Sequence, residues 1–296
     1  MLIAAGADAK AETNTGGTAL HAALWATWWG TLAEMDDADG HGDTTISGRS
    51  TYVESLATIV ELLIAHGADA NAPDGSRRTP LHVAASFSFG ILYDLGKPRP
   101  PTTVDEGHTV ATRLLIRAGA DVNARDKDDM TPLHYAARDG YVRMTDLLLA
   151  ADARMDVQNK DGDTPLHLAV RHHWAEAAGL LITHGAELET RNNSGHTSLQ
   201  EARGCEWIAA LMQAGADVNA RDPRGSTPLH MAVDNRAKDG IRALIAGGAD
   251  VNATDNSGMA PIHLAAADHQ RDIVDLLIDR GAAFDDTVRD LFTRGR

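Results

Sequence analysis

Residues 24–43, LWATWWGTLAEMDDADGHGD, carry the densest chemistry of the chain: three tryptophans within five positions, then a run of acids around one histidine. Asp37, Asp39, His41 and Asp43 alternate, with Gly40 and Gly42 between the last three, and alternate acids on a glycine-kinked loop are how calcium loops gather oxygen ligands. The twelfth position from Asp37 is Gly48, where such a loop needs a bidentate glutamate. The stretch therefore reads first as a flexible acidic loop and second as a metal site. Cys205 is the only cysteine, so no disulfide forms within the chain; with no histidine spaced beside it, its thiol reads as packed rather than nucleophilic. No phosphate loop, Gly-x-Ser-x-Gly elbow or His-Glu-x-x-His pair occurs. No catalytic residue and no cofactor is assigned, and the reading leans away from an enzyme.

Charge narrows the partners. Forty-two acids against 27 bases give a formal net charge of -15, which repels phosphate backbones and anionic lipid head groups and removes nucleic acid as a main partner. No apolar stretch approaches the roughly 20 residues that cross a bilayer, and no charged leader precedes an apolar run. A soluble cytoplasmic protein is expected, with no membrane contact.

The elements that hold these residues repeat. Thr-Pro-Leu-His recurs at Thr79, Thr131, Thr164 and Thr227, with weaker copies at Thr18, Thr197 and Ala260. A second string, Gly-Ala-Asp, begins at Gly6, Gly67, Gly119, Gly215 and Gly248, is Gly-Ala-Glu at Gly185, and is eroded to Asp152-Ala153-Arg154. The step from the second string to the first is 12 residues in all seven cases. The return step is 21 in four repeats but 49, 40 and 18 in the first, second and fifth, so every change of length falls in one half of the unit.

These strings resemble the ankyrin repeat family, whose unit is a β-turn finger followed by two antiparallel helices. The resemblance covers nearly the whole chain. It implies an all-α, ankyrin-repeat α-solenoid with short β-turn fingers: seven complete repeats starting near Thr18, Thr79, Thr131, Thr164, Thr197, Thr227 and Ala260, after a leading half-repeat at 1–6 that suggests a join to a longer array. A single domain over 1–296 is expected, closed by a short amphipathic helix through Val288, Leu291 and Phe292. Proline suits the first turn of a helix, where its missing N–H costs nothing. The six motif histidines (His21, His82, His134, His167, His230, His263) are implied to tie adjacent fingers together rather than to act as bases.

The first two repeats carry 28 and 19 extra residues between their helices, about 24–51 and 86–104. Trp25, Trp28 and Trp29 continue the first helix of repeat one, and a second helix restarts near Thr51. Phe87, Phe89 and Tyr93 lie in the other insertion, before a second helix near Asp105. Seven of the chain's 13 aromatic residues lie between 24 and 93, more ring area than a regular repeat edge covers. They form either a small satellite core or an open aromatic subsite, and the two are compatible.

The resemblance implies recognition of another protein through fingertips and first-helix ends, including Arg138, Asp139, Arg171, His172, Asp234 and Asn235. The favoured reading is a non-catalytic protein-binding scaffold with an added aromatic subsite, open also to a hydrophobic or cationic ligand at the acid-rimmed insertions. The alternative is an enzyme or small-molecule binder with a pocket framed by the insertions, using Asp37, Asp39, His41, Asp43, Glu106 and His108.

Overall fold

Proline opens the first helix of five repeats: Pro80–Ala85, Pro132–Asp139, Pro165–Arg171, Pro228–Asp234 and Pro261–Ala267. Its fixed backbone angle suits a first turn, and the residue before it is held extended, with ψ of 164 to 169° in all five. In the first repeat the helix covers 19–25, and in the fifth it shrinks to Ser198–Glu201. The second helices are Ile46–Ala65, Thr102–Arg117, Val142–Ala150, Ala175–Thr183, Cys205–Gln213, Lys238–Ala246 and Arg271–Asp279.

The computed structural model describes residues 8–25, 46–86 and 102–293. The expectations placed on Trp28, Trp29, Phe87, Phe89 and Tyr93, and on Asp37, Asp39, His41 and Asp43, lie outside these residues. Among the described residues there is no β-strand, only an isolated antiparallel bridge between Glu12 and Thr18 in the first finger. No described helix is long and apolar enough to cross a membrane.

The chain packs as two compact units, Met1–Lys160 and Asp161–Arg296. Both are built alike. The motif leucine of each first helix is sealed: Leu20, Leu81 and Leu133 in one unit, Leu166, Leu199 and Leu229 in the other, none more than 2% exposed. Beside them, small pairs such as Ala84-Ala85 and Ala265-Ala266 are buried and let helices approach closely. Of each leucine pair in the second helices the second member is the core residue; Leu63 is 2% exposed while Leu62 is 46%. Burying such a leucine contributes about 1.5–3 kcal/mol.

Two helix starts and one burial depart from expectation. The second helix of repeat one starts at Ile46 rather than near Thr51, and that of repeat two at Thr102 rather than near Asp105. Cys205 is exposed, not packed. It is the first residue of its helix, and the core-facing positions behind it are filled by Trp207 and Ile208, 7% and 0% exposed. Gly204 makes room for that tryptophan, since a Cβ there would sit 2.8 Å from the indole. At the far end the expected closing helix spans Asp286–Thr293, packs on Pro261–Ala267 and buries Val288 completely.

Candidate protein-binding surface

One polar device shapes most of the fingers. The Asp74 carboxylate accepts the backbone N–H groups of Ser76 and Arg78 through a single oxygen, at 2.8 and 2.9 Å. Asp126, Asn192, Asp222 and Asp255 do the same for the residues two and four positions on. Thr13 supplies a weaker version in the first finger, accepting Gly17 N–H at 3.1 Å. A side chain that satisfies its own turn in this way fixes the fingertip without help from the partner strand.

The motif histidines then join finger to finger. In His82 the Nδ1 atom accepts the Thr79 N–H at 3.0 Å, which leaves Nε2 to carry the proton and donate to the Met130 carbonyl at 3.0 Å. His21 bridges to Arg78, His167 to His196 and His230 to Met259 in the same sense. Each receiving carbonyl belongs to the residue just before the next repeat's motif threonine, or before Ala260 where alanine replaces it. Burial pushes the pKa of His21, His82, His167 and His230 down, so all four stay neutral and keep the tautomer the bridge requires. In repeat five Gln200 does the same work, accepting Thr197 N–H and donating to the carbonyls of Ala220 and Ser226. In repeat seven His263 turns instead to the Asp285 carboxylate, which also caps the closing helix at the Val288 N–H.

A second staple comes from the asparagine that follows Gly-Ala-Asp. Asn71 donates to the Gly119 carbonyl and accepts Asp121 N–H; Asn219 and Asn252 pair with Gly248 and Asp250, and with Gly281 and Ala283. These frameworks hold still the side chains at the fingertips and first-helix ends.

In the first unit those side chains are arginines laid on rings. Arg78 places its guanidinium 5.1 Å from the Trp25 ring and is pinned by Asp74 through Nε and Nη2, at 3.0 and 2.8 Å. The two frame a cleft of about 510 Å3 with Thr13, Thr15, Thr18, His21, Gly75 and Ser76. Arg138 lies 4.7 Å over Tyr135 and pairs with Asp139 at 2.8 Å, while the Tyr135 hydroxyl donates to Asp126 at 2.6 Å. Burial raises the pKa of Asp139 despite that partner, and burial followed by the Asp126 contact raises that of Tyr135.

In the second unit the same positions are ionic. Arg171 binds Asp163 in a fork, at 2.6 and 2.9 Å, and reaches Glu201 at 3.3 Å. Asn192 donates to both acids, and His196 stands between Glu201 at 3.1 Å and Asp222 at 3.6 Å. Burial opposes ionisation of Glu201, but Arg171, His196 and Asn192 outweigh it and lower its pKa. Further along, Asp234 and Asn235 are exposed, and partial burial followed by the nearby Asp268 charge raises the Asp234 carboxyl.

Arg138 with Asp139, Asp234 with Asn235, and Arg171 with the exposed cap residue His172 are thus brought together as neighbours on their own helix ends. His108 belongs elsewhere. It is 5% exposed, bonded to the Leu24 carbonyl, and burial lowers its pKa to about 4, so it is a neutral core group rather than a pocket base. The residues that complete the surface and carry no motif signal are Arg78 and Asp163, one position before a motif threonine, and Tyr135 and Glu201, four positions after one. Among the described residues no group of three or more His, Cys, Asp or Glu side chains is placed to hold a metal.

Comparison with known proteins follows the same repeats. The family described as ankyrin repeats in three copies matches residues 139–222 and 203–288, and the many-copy form matches 104–149. Poly [ADP-ribose] polymerase tankyrase from Caenorhabditis elegans is 33% identical over 116 residues, 36% of this chain and 5% of that protein. Alpha-latrotoxin-Lg1a from Latrodectus geometricus is 31% identical over 149 residues, 47% of this chain and 9% of that one. The chain thus spans only a small part of the length of these curated relatives. Among solved structures, the ankyrin repeat domain of Bcl-3, described as a unique member of the IkappaB family, matches with a TM-score of 0.60 at 26% identity, covering 81% of this chain and 99% of that one. With the capped helix pairs, the histidine bridges and the asparagine staples all in place, the chain belongs to the ankyrin repeat family.

Proposed function

We propose that this chain is a non-catalytic scaffold that binds another protein, and that its first two repeats add an aromatic subsite to the regular recognition surface. The family's repeats are protein-binding modules, and a fold by itself names no partner. The observation that carries the finer reading is Trp25: 39% exposed, at the root of the first insertion, with Arg78 over its ring and a cleft beside it. Tryptophan and arginine are enriched in interface hot spots, the indole because it buries much area with two rotors and the guanidinium because its planar fork makes paired hydrogen bonds. Trp28, Trp29, Phe87, Phe89 and Tyr93 extend this subsite, Arg138 and Asp139 add to recognition within the first unit, and Arg171, His172, Asp234 and Asn235 serve it within the second. The proposed organisation is one ankyrin domain over 1–296, with repeats starting near Thr18, Thr79, Thr131, Thr164, Thr197, Thr227 and Ala260 and insertions at about 24–51 and 86–104.

The test is affinity capture from native lysate with the intact chain, then with Trp25→Ala and with Arg138→Ala combined with Arg171→Ala. A retained protein whose binding falls at least tenfold in these variants, while their circular dichroism stays that of the parent, supports the reading. Retention unchanged in both variants overturns it.

A further inference from the structure

We infer that the cleft between the first two fingers takes an acidic side chain, aspartate or glutamate, presented on an extended segment of the partner protein. This rests on the scaffold reading and adds the chemistry of its first subsite.

Arg78 decides the chemistry. A guanidinium has five N–H donors in one plane. Asp74 Oδ2 takes one from Nε and one from Nη2, and its other oxygen is already occupied by the backbone of Ser76 and Arg78. Three N–H donors, at Nη1 and Nη2, have no acceptor among the described residues. Asp74 therefore orients the guanidinium without saturating it. The Trp25 ring over one face restrains the plane, and what stays open is the end of the fork, whose spacing matches a carboxylate's two oxygens.

The rest of the cleft agrees. Among the described residues Asp74 is the only carboxylate in its lining, and its oxygens are taken up by Arg78 and the backbone of Ser76 and Arg78. Thr13 and Thr15 share a hydroxyl hydrogen bond at 2.9 Å, and exposed Ser76 adds a further hydroxyl. His21 lines the cleft but is spent on Thr18 and the Arg78 carbonyl. The exposed part of Trp25 offers an apolar wall to the methylenes of a glutamate or to its neighbour, and about 510 Å3 holds a few residues rather than a whole fold. The net charge of -15 opposes an acidic partner at long range, so this subsite selects at contact rather than attracts from afar.

The experiment titrates the 15N-labelled full chain with acetyl-Leu-Glu-Leu amide and with its glutamine counterpart, following the Arg78 Nε–H and Trp25 indole N–H resonances. Saturable shifts with the glutamate peptide, at least tenfold weaker binding of the glutamine peptide, and loss of the response in Arg78→Gln support the inference. Arg78→Lys should restore part of it, since the charge returns without the fork. The carbonyl that His21 uses is unchanged by these substitutions; should Arg78→Gln still melt early, Trp25→Ala gives a second reading, with weaker binding expected. No saturable shift, equal affinity for both peptides, or a response to inorganic phosphate with the glutamate peptide silent overturns it. If the glutamate peptide is silent while the Arg138→Ala, Arg171→Ala chain loses a captured partner, the acidic subsite falls and the scaffold stands; peptide binding with no protein retained by any form sinks the scaffold instead.

Discussion

Arg138 and Arg171 occupy the same place in consecutive repeats, seven residues after the motif threonine, yet they live in different chemistry. In the first unit Arg138 rests on Tyr135 and pairs with one acid; in the second Arg171 sits between Asp163 and Glu201 inside a chain of polar contacts that reaches Asp222. The backbone is the same at both. What differs is the residue four positions after the threonine of the same repeat, Tyr135 against Leu168, the matching residue of the next repeat, Leu168 against Glu201, and the one just before the threonine, Met130 against Asp163. Similar scaffolding thus carries a cation-aromatic contact in one unit and an ionic network in the other.

That contrast can be broken experimentally. The largest effect is expected on acidification, where both units depend on the same bridge. The folded-state pKa of His21, His82, His167 and His230 is lowered, so their contribution is fully present above the unfolded value of about 6.5 and is lost as pH falls toward the folded values. Protonated Nδ1 can no longer accept the threonine N–H. The urea midpoint should drop steadily from pH 7 to pH 5, and His82→Gln with His167→Gln, copying Gln200, should flatten that slope. A midpoint independent of pH would show that the bridges carry no linkage.

Next, removing one acid from each arginine separates the two faces. Asp163 is fully buried and holds both Arg171 and Asn192, so Asp163→Ala should cost about 3 kcal/mol in denaturant unfolding. Asp139→Ala, which frees one half-exposed arginine already resting on a ring, should cost about 1 kcal/mol. Equal losses would erase the distinction drawn here.

The fingers differ too. In repeats five and six Pro223 takes the place of the residue that elsewhere donates to the preceding finger, as Lys127 does to Ser76 and Asn256 to Arg224, so no such bond forms there and its ring packs instead on Gly195. A Cβ on Gly195 would lie 2.3 Å from Pro223 Cδ, at a φ of +77°, so Gly195→Ala should cost at least about 2 kcal/mol. In Gly258→Ala, where a Cβ meets open space, only the strain of about 1 kcal/mol remains. Thermal melts of the pair check this.

The smallest effects are gains. Arg77 in the first unit holds φ at 61° where most other fingers use glycine, and Arg77→Gly should raise stability by about 0.5–1 kcal/mol. Thr145→Val should gain about 1 kcal/mol, because the Thr145 hydroxyl is fully buried without a partner where Val60 and Ile208 stand in other repeats. A loss of stability in either variant contradicts its stated cause.

The metre of the repeat and the helix starts at proline are legible in the chain because each is local, a cap spanning three residues and a period of 33 repeating it often enough to be counted, whereas the bridging role of the histidines came with the family resemblance, since those bonds join one repeat to the next. Cys205 reads as packed from its residue type, yet it stands ten residues before Gly215, the place that exposed Lys238 holds before Gly248 and exposed Arg271 before Gly281, so its helix keeps the common phase and the thiol faces out. The acid beside Tyr135 and the two beside Arg171 went unseen for another reason. Asp126 lies nine residues from Tyr135, but Glu201 lies 30 from Arg171 and meets it only because one repeat stacks on the next. Sequence by itself determined the family and the proline-started first helices, because those signals recur within a few residues of one another. Tertiary structure alone decided that Arg171 reaches Glu201 and that Arg78 is held over Trp25 with part of its fork unspent, because those two contacts join residues about one repeat or more apart.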